Sequence, residues 1–574
     1  MTGKRIGKPE AVRLAANLQD YRRARAEFSW EAETLALSGL PRGRGLNLAH
    51  EAADRYADGP RRNHAALRWT DGQGQPAELT YGELARDSSR FANFAKALGV
   101  PGGERVFTLL GPGPDLSVTA LGTLKSGCVL APLFPAATPD AMLQRMRAGE
   151  AGVLVTTPQL YRRSVEAIRD EIPSLREILL TGEDALPGTR ALAPALAASP
   201  PAFEIPPTAP DDPALLLFTS GTTGAPKGVL HAHRGVLAQY VSARYTLDLH
   251  RDDVFWCTAD PGWAPGVIYG LFAPLCHGIT TVCRQPPADA SRWGPVLAGL
   301  GVTVWFTDPR RLSALRDAGA TPEVPSLRFV ASTGEPLSPE LVLWSQDSLG
   351  LPVHNAWGQT ETGAALISDF AAEEIRPGAL GRPLPGIEAC LLDPLGDFPV
   401  EEPDREGELA LRQGWPSMFS GYWRDPDSYD RSFSDGWYRT GDLARRDEDG
   451  YYWFTGRVSD ALVTEAGLTG PVELEHALSS HPAVAEAAVI TVARSGGDRA
   501  KAFVALRPGR LATAELAAEL LAFARHLPGS AAPAELEFSP RLPRTLSGKL
   551  LRRLLRAAEP GLPAGDVSTV EGMS

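Results

Sequence analysis

From about residue 80 the chain alternates continuous apolar runs with stretches of helical period. Residues 105–110 (RVFTLL) and 128–133 (CVLAPL) have the length and composition of buried strands, and residues 116–125 between them space their apolar positions as a helix does. The same pattern predicts a helix over 141–148, a strand over 153–157, a helix over 160–172 and a strand over 177–180. Strands separated by helices are the mark of βαβ units, so an α/β body with a mostly parallel sheet is expected. Residues 185–213, rich in Ala and Pro and ending in PPAFEIPPTAPDDP, predict a surface connection with little regular structure. A helix over about 235–244, a strand near 253–258 and further alternation to 329 follow. A turn-rich stretch, DGWYRTGDLARRDEDGYYWFTGR, then closes the body near 456. Beyond it lies a shorter unit with a helix over 472–479, strands over 484–491 and 501–506, and a helix over 513–527. The expected organisation is a large N-terminal body of mixed and parallel sheets over residues 1–457 and a small α+β domain over 458–574.

Composition narrows the class. A chain of 574 residues exceeds one ordinary core, and 43% hydrophobic with 22% charged residues suits a folded soluble protein. The net charge of -12 leaves no basic excess to displace counterions, so nucleic acid is not expected as a partner. No apolar segment approaches the roughly 20 residues that span a bilayer. The basic start lacks the apolar core of a secretory signal, and a cytoplasmic location is expected. The five cysteines are odd in number with no CxxC spacing, which argues against a disulfide framework or a zinc site. Cys276, His277 and Cys283 read as a buried strand and loop.

The densest chemistry is in residues 215–230, LLLFTSGTTGAPKGVL, an apolar strand running into a loop of hydroxyls and glycines with one lysine. Gly221, Gly224 and Gly228 let backbone N–H groups approach phosphate oxygens. Ser220, Thr222 and Thr223 add hydroxyl donors, and Lys227 adds a point charge after Pro226. The Gly-Lys-Ser/Thr ending of a Walker loop is missing.

This loop resembles the phosphate-binding signature of the acyl-adenylating (AMP-forming) superfamily. NAWGQTETG (355–363), GWYRTGD (436–442), GRVSD (456–460) and PRTLSGK (543–549) follow in that superfamily's order. DVFWCTADPGWAPGVIYGLFAPLCHG (253–278) and GEP (334–336) look most like its acetyl-CoA synthetase branch. The resemblance implies a ligase that makes acyl-AMP from a carboxylate and ATP, then rotates its small domain and transfers the acyl group to CoA. It implies ATP, Mg²⁺ and coenzyme A as cofactors. Thr219, Ser220, Gly221, Thr222, Thr223, Gly224 and Lys227 would hold the ATP phosphates, and Glu361 the metal. Gly334, Glu335 and Pro336 would border the adenine, with Asn355, Ala356, Trp357, Gln359 and Thr360 along the AMP. Asp442 would accept both ribose hydroxyls, and Arg457 would pair with the phosphate or ribose side. Lys549 would be the catalytic lysine, and the family implies a lysine acetyltransferase and deacetylase acting on it. Arg552, Arg553 and Arg556, at helical spacing, read either as partners of the CoA phosphates or as a solvated basic face.

Two departures from the family pattern qualify these roles. Trp263, Ala264, Pro265, Thr333 and Gly358 would form the acyl pocket. Acetate-using members carry tryptophan where this chain has Gly358, and Gly358-Gln359 looks like medium-chain acyl-CoA synthetases. A carboxylate larger than acetate is expected, each extra buried methylene adding about 0.8 kcal/mol. In the hinge and CoA loop, Ser459 replaces an aspartate, Ala466 a glycine and Leu468 an arginine. These changes touch the thioester-forming half more than the adenylating half. Three readings follow: a working acyl-CoA synthetase, an adenylating enzyme with an impaired or different second half-reaction, and a non-catalytic nucleotide- or acyl-CoA-binding paralogue.

Overall fold

The computed structural model describes residues 4–71, 74–219, 226–319, 323–394, 396, 398–464, 467–494, 497–525, 532–545 and 550–559. The chain forms two compact units. The first comprises Met1–Pro377, Pro383–Gly386 and Gly414–Tyr429; the second comprises Gly378–Arg382, Ile387–Gln413 and Asp430–Ser574.

The first unit holds two large sheets. In one, the parallel strands run in the order Val353–Trp357, Phe329–Ser332, Val304–Thr307, Val254–Cys257, Thr280–Val282, Ala65–Thr70. In the other, Pro213–Thr219, Val129–Pro132, Arg105–Leu109, Val153–Thr156 and Glu177–Leu180 are parallel. Their apolar runs are buried, as strands covered on both faces must be. Four helices begin with the same device, a hydroxyl or carboxylate followed by proline. Thr138-Pro139, Thr157-Pro158, Asp308-Pro309 and Ser338-Pro339 each cap a backbone N–H with the side chain and place proline where no helical donor is needed. The helices Tyr81–Ala97 and Pro114–Lys125 approach closely because Gly122 leaves room for Phe91, whose Cβ would lie 2.6 Å from a methyl there.

Two expectations need correction. The helix predicted over 160–172 stops after Pro158–Ser164, because Val165 leaves helical geometry at φ -122° and the N–H groups of Val165 and Glu166 both turn onto Tyr161 O. A short 3₁₀ turn, Arg169–Glu171, follows. The 185–213 connection contains the helix Leu192–Ala198, with Pro194 tolerated in its first turn, and a two-residue edge strand, Arg190–Ala191.

The N-terminus is tied into the first unit. Ile6 and Ile375 exchange backbone hydrogen bonds of 2.9 and 3.0 Å, and Lys8 Nζ donates to His354 Nε2 at 2.7 Å. The other ring nitrogen, Nδ1, donates to Val330 O at 3.1 Å, which fits a neutral imidazole.

In the second unit the turn-rich stretch proves to be a hairpin, Trp437–Arg446 with Tyr452–Arg457, inside an antiparallel five-stranded sheet. Further on, Val484–Arg494, Gly497–Leu506 and Glu535–Phe538 form a three-stranded sheet. Leu474 and Leu478 of the helix Val472–Ser479 and Leu520 of Ala514–Arg525 pack with Val489 and Val504 of that sheet. Among the described residues no helix is long and apolar enough to cross a membrane.

Candidate active site

The strand Pro213–Thr219 does not lead into a helix. It turns back as an antiparallel hairpin with Lys227–Ala232, in which Thr219 pairs with Lys227. Ser220, Gly221, Thr222, Thr223 and Gly224 lie outside the described residues. Lys227 is held at the hairpin's edge: its Nζ donates to Ser428 Oγ at 3.0 Å and lies 4.9 Å from the centre of the Tyr422 ring.

The Gln359–Gly363 turn is fixed from two sides. Thr362 Oγ1 accepts from Gln359 N at 2.8 Å and donates to Ala364 O at 2.7 Å. His231, on the Lys227–Ala232 strand, donates through Nε2 to Thr360 O at 2.8 Å; burial pushes its pKa down to about 4, so the ring is neutral. From the other side Trp415 Nε1 and Ser417 Oγ donate to Thr362 O, and Phe419 N donates to Glu361 O. Gly363, at φ +66°, has Ser417 O 2.2 Å from where a Cβ would be. The Glu361 carboxylate accepts one hydrogen bond, from Tyr422 Oη at 2.9 Å, among the described residues. A half-exposed carboxylate so placed, on a turn whose carbonyls at Thr360, Glu361 and Thr362 are all held, is the hard oxygen donor that Mg²⁺ prefers, and the residues present fit that ion.

The structure brings together two residues expected at the adenine border and the acyl wall, Gly334 and Trp263. Gly334 has φ +95°, and a Cβ there would fall 2.0 Å from the Trp263 indole. Trp263 opens the short helix Ala264–Val267, which includes Pro265. Thr333 is buried behind strand Phe329–Ser332, its N–H bonded to Thr307 O; Pro336 follows Glu335, which pairs with Arg310 at 3.3 Å. On the neighbouring strand, Asn355 N donates to Asp369 at 2.8 Å, Ala356 pairs with Ser368 and Trp357 with Ile367. Burial pushes the Asp369 carboxyl up to about 7. At Gly358 a Cβ would meet Ala364 O at 2.5 Å and Ala365 Cα at 3.1 Å, so the chain itself stands where a side chain would begin.

In the second unit Asp442 and Arg457 are cross-strand partners, joined Oδ1 to Nε at 2.8 Å, with Asp442 buried. Ser459 lies in the 3₁₀ turn Val458–Asp460, and Leu468 pairs through its backbone with Val463 in a small hairpin. Ala466 and Lys549 lie outside the described residues; the flanking Arg544 and Leu550 form an antiparallel bridge. Gly470 lies against Thr455 O, 1.9 Å from its would-be Cβ, and its N–H bonds Glu406 at 3.1 Å. Burial, with Glu473 adding to it, pushes Glu406 up to about 7. Arg552 and Arg556 do not lie on a solvated basic face. Arg552 pairs with Glu475 at 2.6 Å and with Asp460 at 3.4 Å, and Arg556 pairs with Asp460 at 2.7 Å.

Sequence reasoning missed His231, Trp415, Ser417, Tyr422 and Ser428. The aromatic run FSGYW at 419–423 marks this stretch in the sequence.

Comparison with known proteins identifies the family. The model described as AMP-binding enzyme matches residues 54–423, and that of the AMP-binding enzyme C-terminal domain matches residues 473–549. The chain is 40% identical to the acetyl-coenzyme A synthetase of Bacillus subtilis (strain 168), over 97% of this chain and 98% of that protein. Among solved structures, a Brucella canis acyl-CoA synthetase has a TM-score of 0.72 at 34% identity, covering 94% of this chain and 98% of its own. A benzoate CoA ligase from Burkholderia xenovorans LB400 has a TM-score of 0.78 at 27% identity, covering 89% and 99%. Both halves of the fold and near-complete coverage at 40% identity place this chain in the AMP-binding enzyme family, as an AMP-forming CoA ligase of the acyl-CoA synthetase branch.

Proposed function

We propose that this ligase activates a carboxylate larger than acetate and passes it to CoA. Gly358 carries the reading, because glycine stands where acetate-using members carry the tryptophan that closes the acyl pocket. The Ala364–Ala365 backbone against Gly358 favours a second reading, a short acid such as acetate, which is also the acid named for the Bacillus relative. Specificity constants for carboxylates of about two to ten carbons separate the two; acetate ranking first would overturn the proposal.

The division of labour follows from charge. A carboxylate attacking a phosphorus already surrounded by anionic oxygens needs fixed positive charge and N–H dipoles nearby. Lys227 and the 219–224 loop supply these for the β- and γ-phosphates. Bound at Glu361, Mg²⁺ adds charge neutralisation on the phosphate oxygens. Asp442 takes the ribose hydroxyls, held in place by Arg457, and the indole of Trp263 lies between the acyl pocket and the adenine border at Gly334. Lys549 neutralises charge at the reacting carboxylate and α-phosphate. The chain is read as dividing at 457/458, with Ser459 at the hinge and Ala466 and Leu468 in the loop that meets CoA. A cytoplasmic location and reversible acetylation of Lys549 complete the reading.

A further inference from the structure

Lys227 and Glu361 carry opposite charges and serve opposite ligands, one an anion and the other a cation. A direct salt bridge between them would neutralise both before ATP arrived. No such pair forms among the described residues, and the group that touches both side chains is Tyr422.

Its placement follows from strand geometry. Tyr422 sits on the strand Gly421–Tyr422, antiparallel to Lys227–Ala232, directly opposite Val229. Lys227 is two residues before Val229, hence on the same face and on the diagonal, within reach of an aromatic ring. The ring lies 4.9 Å from Lys227 Nζ, an ordinary cation–π separation. At its other end the phenol donates to Glu361 Oε1 at 2.9 Å, a hydrogen bond to a charged acceptor that fixes the carboxylate's rotation. The strand itself is pinned, with Ser420 N bonded to Leu230 O at 2.8 Å and Trp423 N to Gly228 O at 2.7 Å. Phe419 stacks edge-on against Tyr422 at 5.1 Å and against Tyr429 at 5.0 Å. Ser428, one residue before Tyr429, holds Lys227.

We propose that Tyr422 is a positioning residue that spaces the phosphate-binding Lys227 from the metal-binding Glu361, its ring ordering the first and its hydroxyl orienting the second. An oriented outer partner raises the effectiveness of a metal-binding carboxylate. Here the same side chain also stands between that carboxylate and Lys227. The inference rests on the roles given above to Glu361 and Lys227.

The two ends of the tyrosine can be removed separately in the full-length protein. Tyr422→Phe keeps the ring and removes the hydroxyl; Tyr422→Leu removes both; Glu361→Gln tests the underlying reading. ATP affinity is measured by calorimetry in EDTA and again in Mg²⁺, with the melting temperature of each variant alongside. Tyr422→Phe is expected to bind ATP in EDTA within about twofold of wild type while losing about five- to tenfold of the gain that Mg²⁺ confers. Tyr422→Leu should lose that gain and also weaken ATP binding in EDTA severalfold. An unchanged Mg²⁺ gain in Tyr422→Phe, with the gain lost in Glu361→Gln, would overturn the role of Tyr422 and leave that of Glu361 standing. A full gain in Glu361→Gln would instead overturn the metal role of Glu361. Equal weakening with and without Mg²⁺, together with a lowered melting temperature, would mark Tyr422 as a packing residue and overturn the proposal.

Discussion

At Gly334 two constraints coincide: a left-handed backbone at φ +95° and an indole 2.0 Å from where a methyl would start. A strained backbone position costs about 1–3 kcal/mol even before the steric overlap is counted. Gly334→Ala is therefore expected to lower the melting temperature and raise KM for ATP about tenfold or more, read in pyrophosphate exchange. Asp442 offers a contrasting case, since its carboxylate is buried and already paired with Arg457. Asp442→Asn removes a charged acceptor from the proposed ribose site, and a hydrogen bond to a charged group is worth about 1.5–3 kcal/mol. A ten- to hundredfold rise in KM for ATP, with carboxylate KM little changed, is the expected result; an unchanged KM for ATP would count against the ribose role.

We propose that the stretch from Arg457 to Gly470 joins the two half-reactions. Its far end is latched by Glu406, whose carboxyl accepts from Gly470 N at 3.1 Å and has its pKa raised to about 7. A raised carboxyl pKa means the folded state binds a proton that the unfolded state has released. The stability that Glu406 contributes is thus complete below the ordinary glutamate range and is lost as pH rises through about 7. Glu406→Gln, neutral at every pH, should raise the melting temperature at pH 8 and leave it nearly unchanged at pH 5. In the same loop, Leu468→Arg is expected to increase thioester formation severalfold without changing pyrophosphate exchange. Much at this scale was legible in the sequence. The buried parallel strands read directly because their apolar runs are uninterrupted, and the helix Val472–Ser479 matches its expected span. The antiparallel hairpin of Asp442 and Arg457 did not read as a sheet, because its strands carry polar and glycine residues that also signal turns. Tyr422 was invisible for another reason: it acts on a residue 61 positions away, and no local pattern encodes that distance.

At the scale of the whole molecule, several buried histidines contribute to the acid response. Burial holds His231, His233 and His277 at about 4, below the usual 6.5. The unfolded chain takes up these protons first, so their contribution is present above pH 6.5 and is lost as pH falls towards 4. His277 stands apart from the ligand-binding groups, stacked on Tyr240 at 4.0 Å and bonded to its carbonyl. His277→Gln should be destabilising at pH 7, with the deficit shrinking by about 2 kcal/mol at pH 5 when urea unfolding is compared with wild type. A deficit that stays constant with pH would show that His277 does not carry the shift. The tie between the N-terminal residues and the strand Val353–Trp357 bears on how the chain is made. Arg5 and Glu374 are 369 positions apart, and the backbone pairing of Ile6 with Ile375 spans the same separation. At roughly 5–20 residues per second, ribosomal synthesis leaves Arg5 and Ile6 waiting on the order of twenty to seventy seconds for their partners. These residues, made long before their partners, are therefore among the last of the first unit to be placed, and they fasten a strand whose neighbours can already be paired.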